Sequence, residues 1–341
     1  MADSSLEALR AFPRTVAGAV LNSIELPMRA LQRALGVPRI GWVFVTPNLV
    51  VLGLFTFLPI VIDFYYAFTG GGQLYPTQRP FTGLDKLQTL FDCDRYFDPS
   101  SCRIDLFWRA VFNTAWFALL QVGLMVLFAL VTALVLNRKI IGRGFFRGVF
   151  FYPVLLSPVV VALIWKWILQ REGLLNALLQ GAGVAGPVWL NDAGWAFFWS
   201  VFVSIWAHMG FFTLILLAGL QAIPADLYEA AEMDNATPWR RFYRITLPLL
   251  MPNLLVVVVL ALIRAVQIFD EIFVLTGGGP GSATLFIVQF IYQTAFAESI
   301  RLYGLAAAAS LVLAGSLLVL TVAQLRISRQ SLGGKQSHDD G

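Results

Sequence analysis

Six long apolar stretches are the feature of this sequence that most limits its fold. A bilayer core is about 30 Å thick and takes about 20 apolar residues of helix to cross, because lipid cannot hydrogen-bond a free backbone N–H or C=O group. The stretches that meet this length are 41–68, 107–136, 146–169, 195–221, 249–269 and 303–325. With 58% hydrophobic and 13% charged residues, the composition is also far from that of a soluble domain. We therefore expect an all-α polytopic membrane protein with six transmembrane helices.

The placement of lysine and arginine predicts the orientation, because cytoplasmic loops retain these residues. They concentrate in an N-terminal arm, in the 137–147 loop, in an insert at 224–248 and in the C-terminal tail. The segments between them carry fewer basic residues for their length. We expect all four basic segments, and so both termini, on the cytoplasmic side. Topology then explains the net charge of +4, and no nucleic-acid partner is needed.

Three regions follow from these patterns. Residues 1–40 place apolar side chains at three- and four-residue spacing with arginines opposite, which predicts an amphipathic helix on the inner membrane surface. An arm without fixed structure is the alternative. Residues 41–326 form the transmembrane domain, and we expect the tail 327–341 to lack fixed structure. The only two cysteines, Cys93 and Cys102, share the outward loop 69–106, where an oxidising compartment would let them pair. Two free thiols remain the alternative.

The 224–248 insert is polar and has helix-capping chemistry between two apolar stretches. Asp226 can cap a short helix, and Asn235 tolerates the left-handed conformation that ends one. Thr237-Pro238 has the pattern of a second helix start, and Leu247-Pro248 is expected to mark the entry to the fifth span. The pattern predicts a cytoplasmic helix–turn–helix with a left-handed Asn235. An ordinary loop packed on its own bundle is the alternative.

The same insert contains Glu229-Ala230-Ala231, then the turn at Asn235 and then Ile245-Thr246-Leu247-Pro248. With these residues it resembles the EAA loop of permease subunits in bacterial ABC importers. A glycine usually occupies the turn in that family. There the short first helix is a coupling helix, which docks in a groove of the cytoplasmic ATP-hydrolysing subunit. The residues that the resemblance implies for this contact are Tyr228, Glu229, Ala230, Ala231, Asp234 and Asn235.

A second group of motifs is similar to one branch of the family, the carbohydrate-uptake permeases of the maltose and glycerol-phosphate type. These motifs are Leu275-Thr276-Gly277-Gly278-Gly279-Pro280, Ala283-Thr284, Tyr292 and Ala295-Phe296. The resemblance covers about residues 40–326. It implies a subunit of the bacterial cytoplasmic (inner) membrane that imports a sugar or related polyol: an oligosaccharide, a glycosylated osmolyte or glycerol phosphate.

The implied partners are an ABC ATPase dimer, a second, homologous permease and an extracytoplasmic solute-binding protein. ATP and Mg would bind the partner ATPase, and this chain would bind no cofactor itself. A secondary transporter driven by an ion gradient is the alternative from another class.

Polar and aromatic residues within the spans predict where a solute could bind. Arg264, Gln267, Asp270 and Glu271 have the spacing of one helical face, and charged groups at membrane depth normally face a bundle interior. Trp206, His208 and Phe211 add an aromatic surface of the kind that stacks on sugar rings. By analogy with the maltose-type permeases, both sets line the transmembrane site. Four alternatives stay open: Arg264 as the ion-pair partner of another helix, His208 as a hydrogen-bonded core residue, Asp270 and Glu271 as solvated interfacial residues, and Trp206 and Phe211 as lipid-facing or bundle-core aromatics.

Motifs of enzymes are missing from the sequence. It contains no GxxxxGK[ST] phosphate loop, no GxSxG and no HExxH. Two histidines, His208 and His338, cannot form a metal cluster with cysteines in an outer loop. The sequence therefore predicts a transporter subunit without catalytic or metal-binding residues.

Overall fold

The computed structural model describes residues 36–138, 140–297 and 301–333. Most of the predicted amphipathic arm lies outside the described residues, as does the end of the tail. The chain divides into two compact units, Met1–Asp63 and Phe64–Gly341. The helices are α1 Gly41–Ala67, α2 Asp85–Phe91, α3 Asp105–Asn137, α4 Arg143–Leu155, α5 Pro158–Ile168, α6 Leu174–Gly181, α7 Ala193–Gln221, α8 Ala225–Met233, α9 Pro238–Val266, α10 Asp270–Leu275, α11 Ile287–Ala297 and α12 Tyr303–Gly333.

The predicted all-α class is confirmed. Five of the described helices, α1, α3, α7, α9 and α12, are long and apolar enough to cross a membrane. Their positions match five of the six predicted spans. The described residues pair as β-structure only at two isolated bridges, Thr69 with Phe81 and Cys93 with Cys102. The last helix continues to Gly333, so part of the segment expected to be an unstructured tail is helical.

The predicted third span, 146–169, is wrong as one continuous helix. Helices α4 and α5 meet at an angle of 100°, and they add a sixth span only when the bent pair is counted as one. The break falls at Leu156 and Ser157, whose backbones are extended, with ψ of 144° and 138°. Pro158 follows directly, and the residue before a proline is driven out of the helical region by steric clash with the ring.

The main core of the second unit forms where α3 packs against α7 and α9. Its buried side chains include Phe117, Met125, Leu216, Leu250 and Val257. In lipid the hydrophobic effect does not drive helices together, so close packing and van der Waals contact must do so. Small residues permit this approach. A Cβ on Gly219 of α7, for example, would lie 2.6 Å from Cγ of Asn253 in α9.

The outer loop 69–106 is tied down by polar contacts and by a disulfide. The buried Arg79 donates hydrogen bonds to the Thr69 hydroxyl at 2.9 Å and to the Gln73 carbonyl at 2.6 Å. Cys93 and Cys102 form a disulfide, the pairing that the sequence left open. The loop is therefore a folded element, although its composition alone predicts only a polar connection.

Candidate coupling and translocation sites

The first helix of the 224–248 insert, α8, is largely exposed. None of its residues, all of which the structure describes, is buried. The sequence suggested Asp226 as the capping residue, but Asp226 does not cap this helix. The helix starts at Ala225, two residues before the start at Leu227 that a cap at Asp226 would give, and the N-cap residue Pro224 makes no side-chain capping hydrogen bond. Asp226 lies in the first turn instead, where a negative charge still stabilises the positive end of the helix dipole.

The predicted left-handed conformation of Asn235 is confirmed. Its φ is 55°, and it is the only non-glycine residue with positive φ among those described. The Ala236 N–H donates to the Ala231 carbonyl at 2.9 Å, and the Asn235 N–H donates to the Glu232 carbonyl at 3.0 Å. This pair of bonds is a Schellman motif, which satisfies the carbonyls at the end of the helix.

The second helix of the insert starts at Pro238, as the sequence predicts, and it continues beyond the insert. The Thr237 side chain accepts a hydrogen bond from the Arg240 N–H at 3.4 Å, and Pro238 is the first helical residue. Leu247-Pro248, expected to mark the entry to the fifth span, is not a separate helix start, because α9 runs without a break from Pro238 to Val266. A π-helical turn at Phe242–Thr246 precedes Pro248. Such a turn lets a helix continue through a proline, which has no N–H to donate to the preceding turn.

Two side-chain bridges hold α8 against the start of α9. The Tyr228 hydroxyl is hydrogen-bonded to the Thr246 hydroxyl at 2.9 Å, and Arg241 Nη1 lies 2.6 Å from Glu232 Oε1. Glu229, Ala230, Asp234 and Asn235 remain exposed, and Ala231 is half-buried. A force on α8 would therefore pass through these bridges into a helix that continues across the membrane.

The expected single polar stripe at the end of the fifth span is wrong. Helix α9 ends at Val266, and Phe269, with φ −148° and ψ −66°, turns the chain before α10 begins at Asp270. Arg264 therefore lies on α9, whereas Asp270 and Glu271 lie on α10. The spacing was compatible with one helix, but the short break at 267–269 carries no proline or glycine that could have revealed it.

Three of the predicted residues nevertheless meet between α7, α9 and α10. Arg264 Nη2 donates to His208 Nε2, and His208 Nδ1 lies 2.8 Å from the Ser204 carbonyl oxygen. A carbonyl only accepts, so these contacts assign the proton to Nδ1 of a neutral imidazole. The Glu271 carboxylate is buried, with Oε1 3.9 Å from the same Nδ1. The His208 ring thus lies between the Arg264 guanidinium and the buried Glu271 carboxylate.

The remaining predicted solute-site residues divide into two groups. Gln267 and Asp270 are exposed, and Phe211 is exposed on α7 one turn from His208. Trp206 lies about 200° around the helix from His208, since each residue turns about 100°. Its ring packs edge-on against Trp165 with centroids 5.5 Å apart. The structure therefore does not bring Trp206 to the polar cluster.

Sequence reasoning missed the polar residues that position the loop after α10. Asn113 of α3 donates to the Ser282 carbonyl at 2.6 Å, and the Thr114 hydroxyl accepts from the Ile287 N–H at 2.9 Å. Lys166 donates to the Val274 carbonyl at 3.2 Å. The glycine run turns sharply, with φ of 65° at Gly277 and 94° at Gly278. A polar residue within an apolar span was the available signal for Asn113.

Comparisons with known proteins agree with this architecture. The trehalose/maltose transport system permease protein MalF of Thermococcus litoralis is 36% identical over 294 residues, covering 85% of this chain and 94% of the relative. The sulfoquinovosyl glycerol transport system permease protein SmoG of Agrobacterium fabrum is 31% identical over 306 residues, covering 89% and 95%. In a crystal structure of a bacterial ABC transporter that imports the acidic polysaccharide alginate, one chain has the same fold, with a TM-score of 0.74 and 24% identity over 88% of this chain and 99% of that one.

The family profile described as the inner membrane component of binding-protein-dependent transport systems matches residues 125–331, more than half of the chain. That segment contains all of α4 to α11 and most of α12, and so both the exposed α8 and the cluster at Arg264. The chain therefore belongs to the family of binding-protein-dependent transport system inner membrane components, as a permease subunit of an ABC importer whose ATP hydrolysis is carried by a separate ATPase.

Proposed function

We propose that this subunit imports a sugar or related polyol and is driven through α8 by a partner ATPase dimer. The observation that carries the proposal is the geometry of α8: an exposed helix that two side-chain bridges join to the membrane-crossing α9. A second, homologous permease would complete the pathway, and an extracytoplasmic binding protein would deliver the solute. The alternative of an ion-driven secondary transporter gives this arrangement no role.

The surface of α8 suits a protein groove. Ala230 and the half-buried Ala231 leave room for a close approach, while the exposed Glu229 and Asp234 offer charge at either end of that small-residue patch. Met233 adds an apolar side chain that is 89% exposed. A mixture of small, apolar and acidic groups on one rigid helix is typical of helix-in-groove recognition. In the proposed function, closure of the ATPase dimer pushes on this helix.

The solute would pass the cluster of Arg264, His208 and Glu271. Arg264 is exposed and has donors beyond the one that bonds His208, while Gln267 and Asp270 supply further donors and acceptors nearby. Phe211 offers an aromatic face. This combination suits hydroxyl-rich or anionic solutes, which need many hydrogen bonds and one stacking surface. The names of the relatives, which mention trehalose, maltose and sulfoquinovosyl glycerol, support a carbohydrate.

The orientation follows from the same assignment. If α8 faces an ATPase, its side of the membrane is the cytoplasm, and both termini share that side in a six-span subunit of a bacterial inner membrane. The arginine-rich 137–147 loop then also lies in the cytoplasm, which agrees with the retention of basic residues there. The disulfide-bonded loop 69–106 faces the opposite, oxidising compartment.

The substitution Glu229→Lys tests the coupling role. We expect ATP-driven uptake in proteoliposomes to fall by about tenfold or more, because a reversed charge against a complementary groove costs more than 1.4 kcal/mol of binding energy. The subunit should still insert in the membrane, because Glu229 is exposed and makes no bridge to α9. ATPase activity that persists without uptake would be the direct sign of uncoupling.

Glu229→Gln is the matched control, since it keeps the size of the side chain and removes only the charge. Its uptake should lie between those of the wild type and Glu229→Lys. Undiminished uptake by Glu229→Lys would overturn the coupling assignment. Uptake that depends on an ion gradient and ignores ATP would overturn the proposed mechanism as a whole.

A further inference from the structure

An open groove runs along the second half of α3 and ends beside the 224–248 insert. Its volume is about 840 Å³. One wall is an apolar stripe on α3, and the other is formed by the start of α9 together with Tyr228 of α8. The apolar wall consists of Leu127, Leu130, Val131 and Leu134. These residues recur at three- and four-residue spacing, so they form one continuous face of the helix.

The groove has about the length of one lipid leaflet. From Leu127 to Arg138 the helix rises about 16 Å, which is roughly half of a 30 Å hydrocarbon core. The apolar wall would therefore lie beside acyl chains, and its end would lie at headgroup level. Aromatic residues mark the same level, because Trp239 and Tyr228 line the groove there. Tryptophan and tyrosine are enriched at membrane interfaces, where one side of the ring is apolar and the other wet.

The polar end of the groove is cationic. Arg138 and Arg241 both line it, but Arg241 is already paired with Glu232 at 2.6 Å. Arg138 is exposed, and within the described part of the chain no acidic side chain pairs with its guanidinium. An unpaired guanidinium above an apolar channel matches a ligand with an anionic head and an apolar chain. Arginine binds phosphate oxygens through two parallel hydrogen bonds.

We propose that this groove binds an anionic phospholipid, with an acyl chain along α3 and the phosphate at Arg138. The bilayer supplies this ligand at the right depth and in the right orientation. The part of the acyl chain next to the headgroup would contact Trp239, and the headgroup itself would lie beside Tyr228. The assignment to the cytoplasmic leaflet, and any influence of the lipid on coupling, rest on the proposed function. Binding itself does not depend on transport.

Quenching of tryptophan fluorescence by lipids with brominated acyl chains tests the proposal. The full-length chain, purified with the subunits that accompany it, is placed in nanodiscs that contain brominated phosphatidylglycerol or brominated phosphatidylcholine. Subtracting the signal of Trp239→Phe isolates the contribution of Trp239. We expect phosphatidylglycerol to be preferred by about fivefold, which corresponds to one basic residue at an anionic headgroup. In Arg138→Gln this preference should disappear.

Matched variants separate the groove from the general membrane surface. Arg326→Gln removes an exposed charge from α12 and should keep the preference. Val131→Phe fills the groove and should weaken quenching by both lipids. Val135→Phe should not, because Val135 is equally half-exposed on α3 but does not line the groove.

Three results would overturn the proposal. The first is equal quenching by the two lipids in the wild type. The second is an equal loss of preference in Arg138→Gln and Arg326→Gln, which would leave only general surface charge. The third is absence of Trp239 quenching, which would mean that a protein subunit covers the groove. None of these results bears on the Glu229→Lys experiment, so the two ideas fail separately.

Discussion

Asn235 illustrates how much a single residue can reveal when backbone chemistry decides its role. A helix that must turn back at once needs a residue with positive φ, and asparagine tolerates this better than any other side chain that carries a Cβ. The position, between an exposed helix and a Thr-Pro start, was enough to predict the conformation before any contact was known. The Schellman bonds from Ala236 and Asn235 then follow from the geometry.

Substitutions at Asn235 should separate backbone strain from side-chain chemistry. Asn235→Gly should keep uptake within about a factor of two of the wild type, since glycine adopts positive φ without strain. Asn235→Val should cost about 1–2 kcal/mol, because a β-branched residue clashes in this region. We expect limited trypsin digestion at Arg240 and Arg241 to accelerate by about tenfold in the valine variant, as the turn opens more often. Equal digestion of both variants would contradict a role for the left-handed turn.

Capping residues were less predictable than the turn. Asp226 fits the preference for an N-cap, but Pro224 occupies that position in α8. Sequence preference did not locate the start, which lies two residues earlier than a cap at Asp226 predicts. A polar residue with several hydrogen-bonding options is therefore a weaker signal than a residue with one permitted backbone shape.

At the scale of elements, the departures from prediction occur where helices bend or stop. The lengths of the apolar stretches located five of the spans, but they contain no information about whether a helix continues through a proline. At Pro248 the helix continues through a π-turn, whereas at Pro158 it breaks by 100°. Packing near the broken helix is close, because the Gly210 backbone of α7 lies so near the Phe150 carbonyl of α4 that an added Cβ would clash with it.

The cluster at Arg264 is also a property of elements, because its members come from three helices. Arg264→Gln should raise the KM for uptake by about tenfold or more, because a charge-assisted hydrogen bond to a solute is worth about 1.5–3 kcal/mol. The melting temperature of the purified protein should change little, since Arg264 is exposed and its histidine partner keeps the bond to Ser204. KM is measured in proteoliposomes with saturating ATP.

The alternative role of Arg264 predicts the reverse pattern. If it serves only to balance the buried Glu271, then Arg264→Gln should lower the melting temperature and leave KM unchanged. Arg326→Gln is again the control, because it removes an arginine from a helix that contributes nothing to the cluster. An unaltered KM together with an unaltered melting temperature would remove Arg264 from both roles.

At the scale of the whole molecule, composition and span lengths were sufficient for the fold class, and motif resemblance was sufficient for the family. What they could not supply was the assembly of the polar cluster from α7, α9 and α10, because the break at 267–269 has no sequence mark. Folding of the outer loop 69–106 around Arg79 was equally hidden, since an arginine in a polar loop is normally solvated. Long-range contacts of this kind depend on tertiary packing, which local patterns do not encode.

Orientation is the property of the whole molecule that most needs a direct measurement, and the chain is well suited to it. Its only two cysteines can be replaced by Cys93→Ser and Cys102→Ser, which leaves a background without thiols. Single cysteines are then introduced by Phe97→Cys in the outer loop or by Met233→Cys at the end of α8. These positions are 93% and 89% exposed, so they should react equally well with a maleimide once both are accessible.

In intact cells, a membrane-impermeant maleimide should label the cysteine at position 97 and not the one at position 233. Permeabilising the membrane should make the two labelling rates similar. This result is expected because basic residues cluster on the side of α8, and the six-span arrangement places loop 69–106 opposite. Labelling of position 233 alone in intact cells would show that the subunit has the opposite orientation. Helix α8 would then be out of reach of a cytoplasmic ATPase. Labelling of both positions would place them on the same side of the membrane, so an even number of spans would separate them. The bent pair of α4 and α5 would then have to return to the side from which it entered.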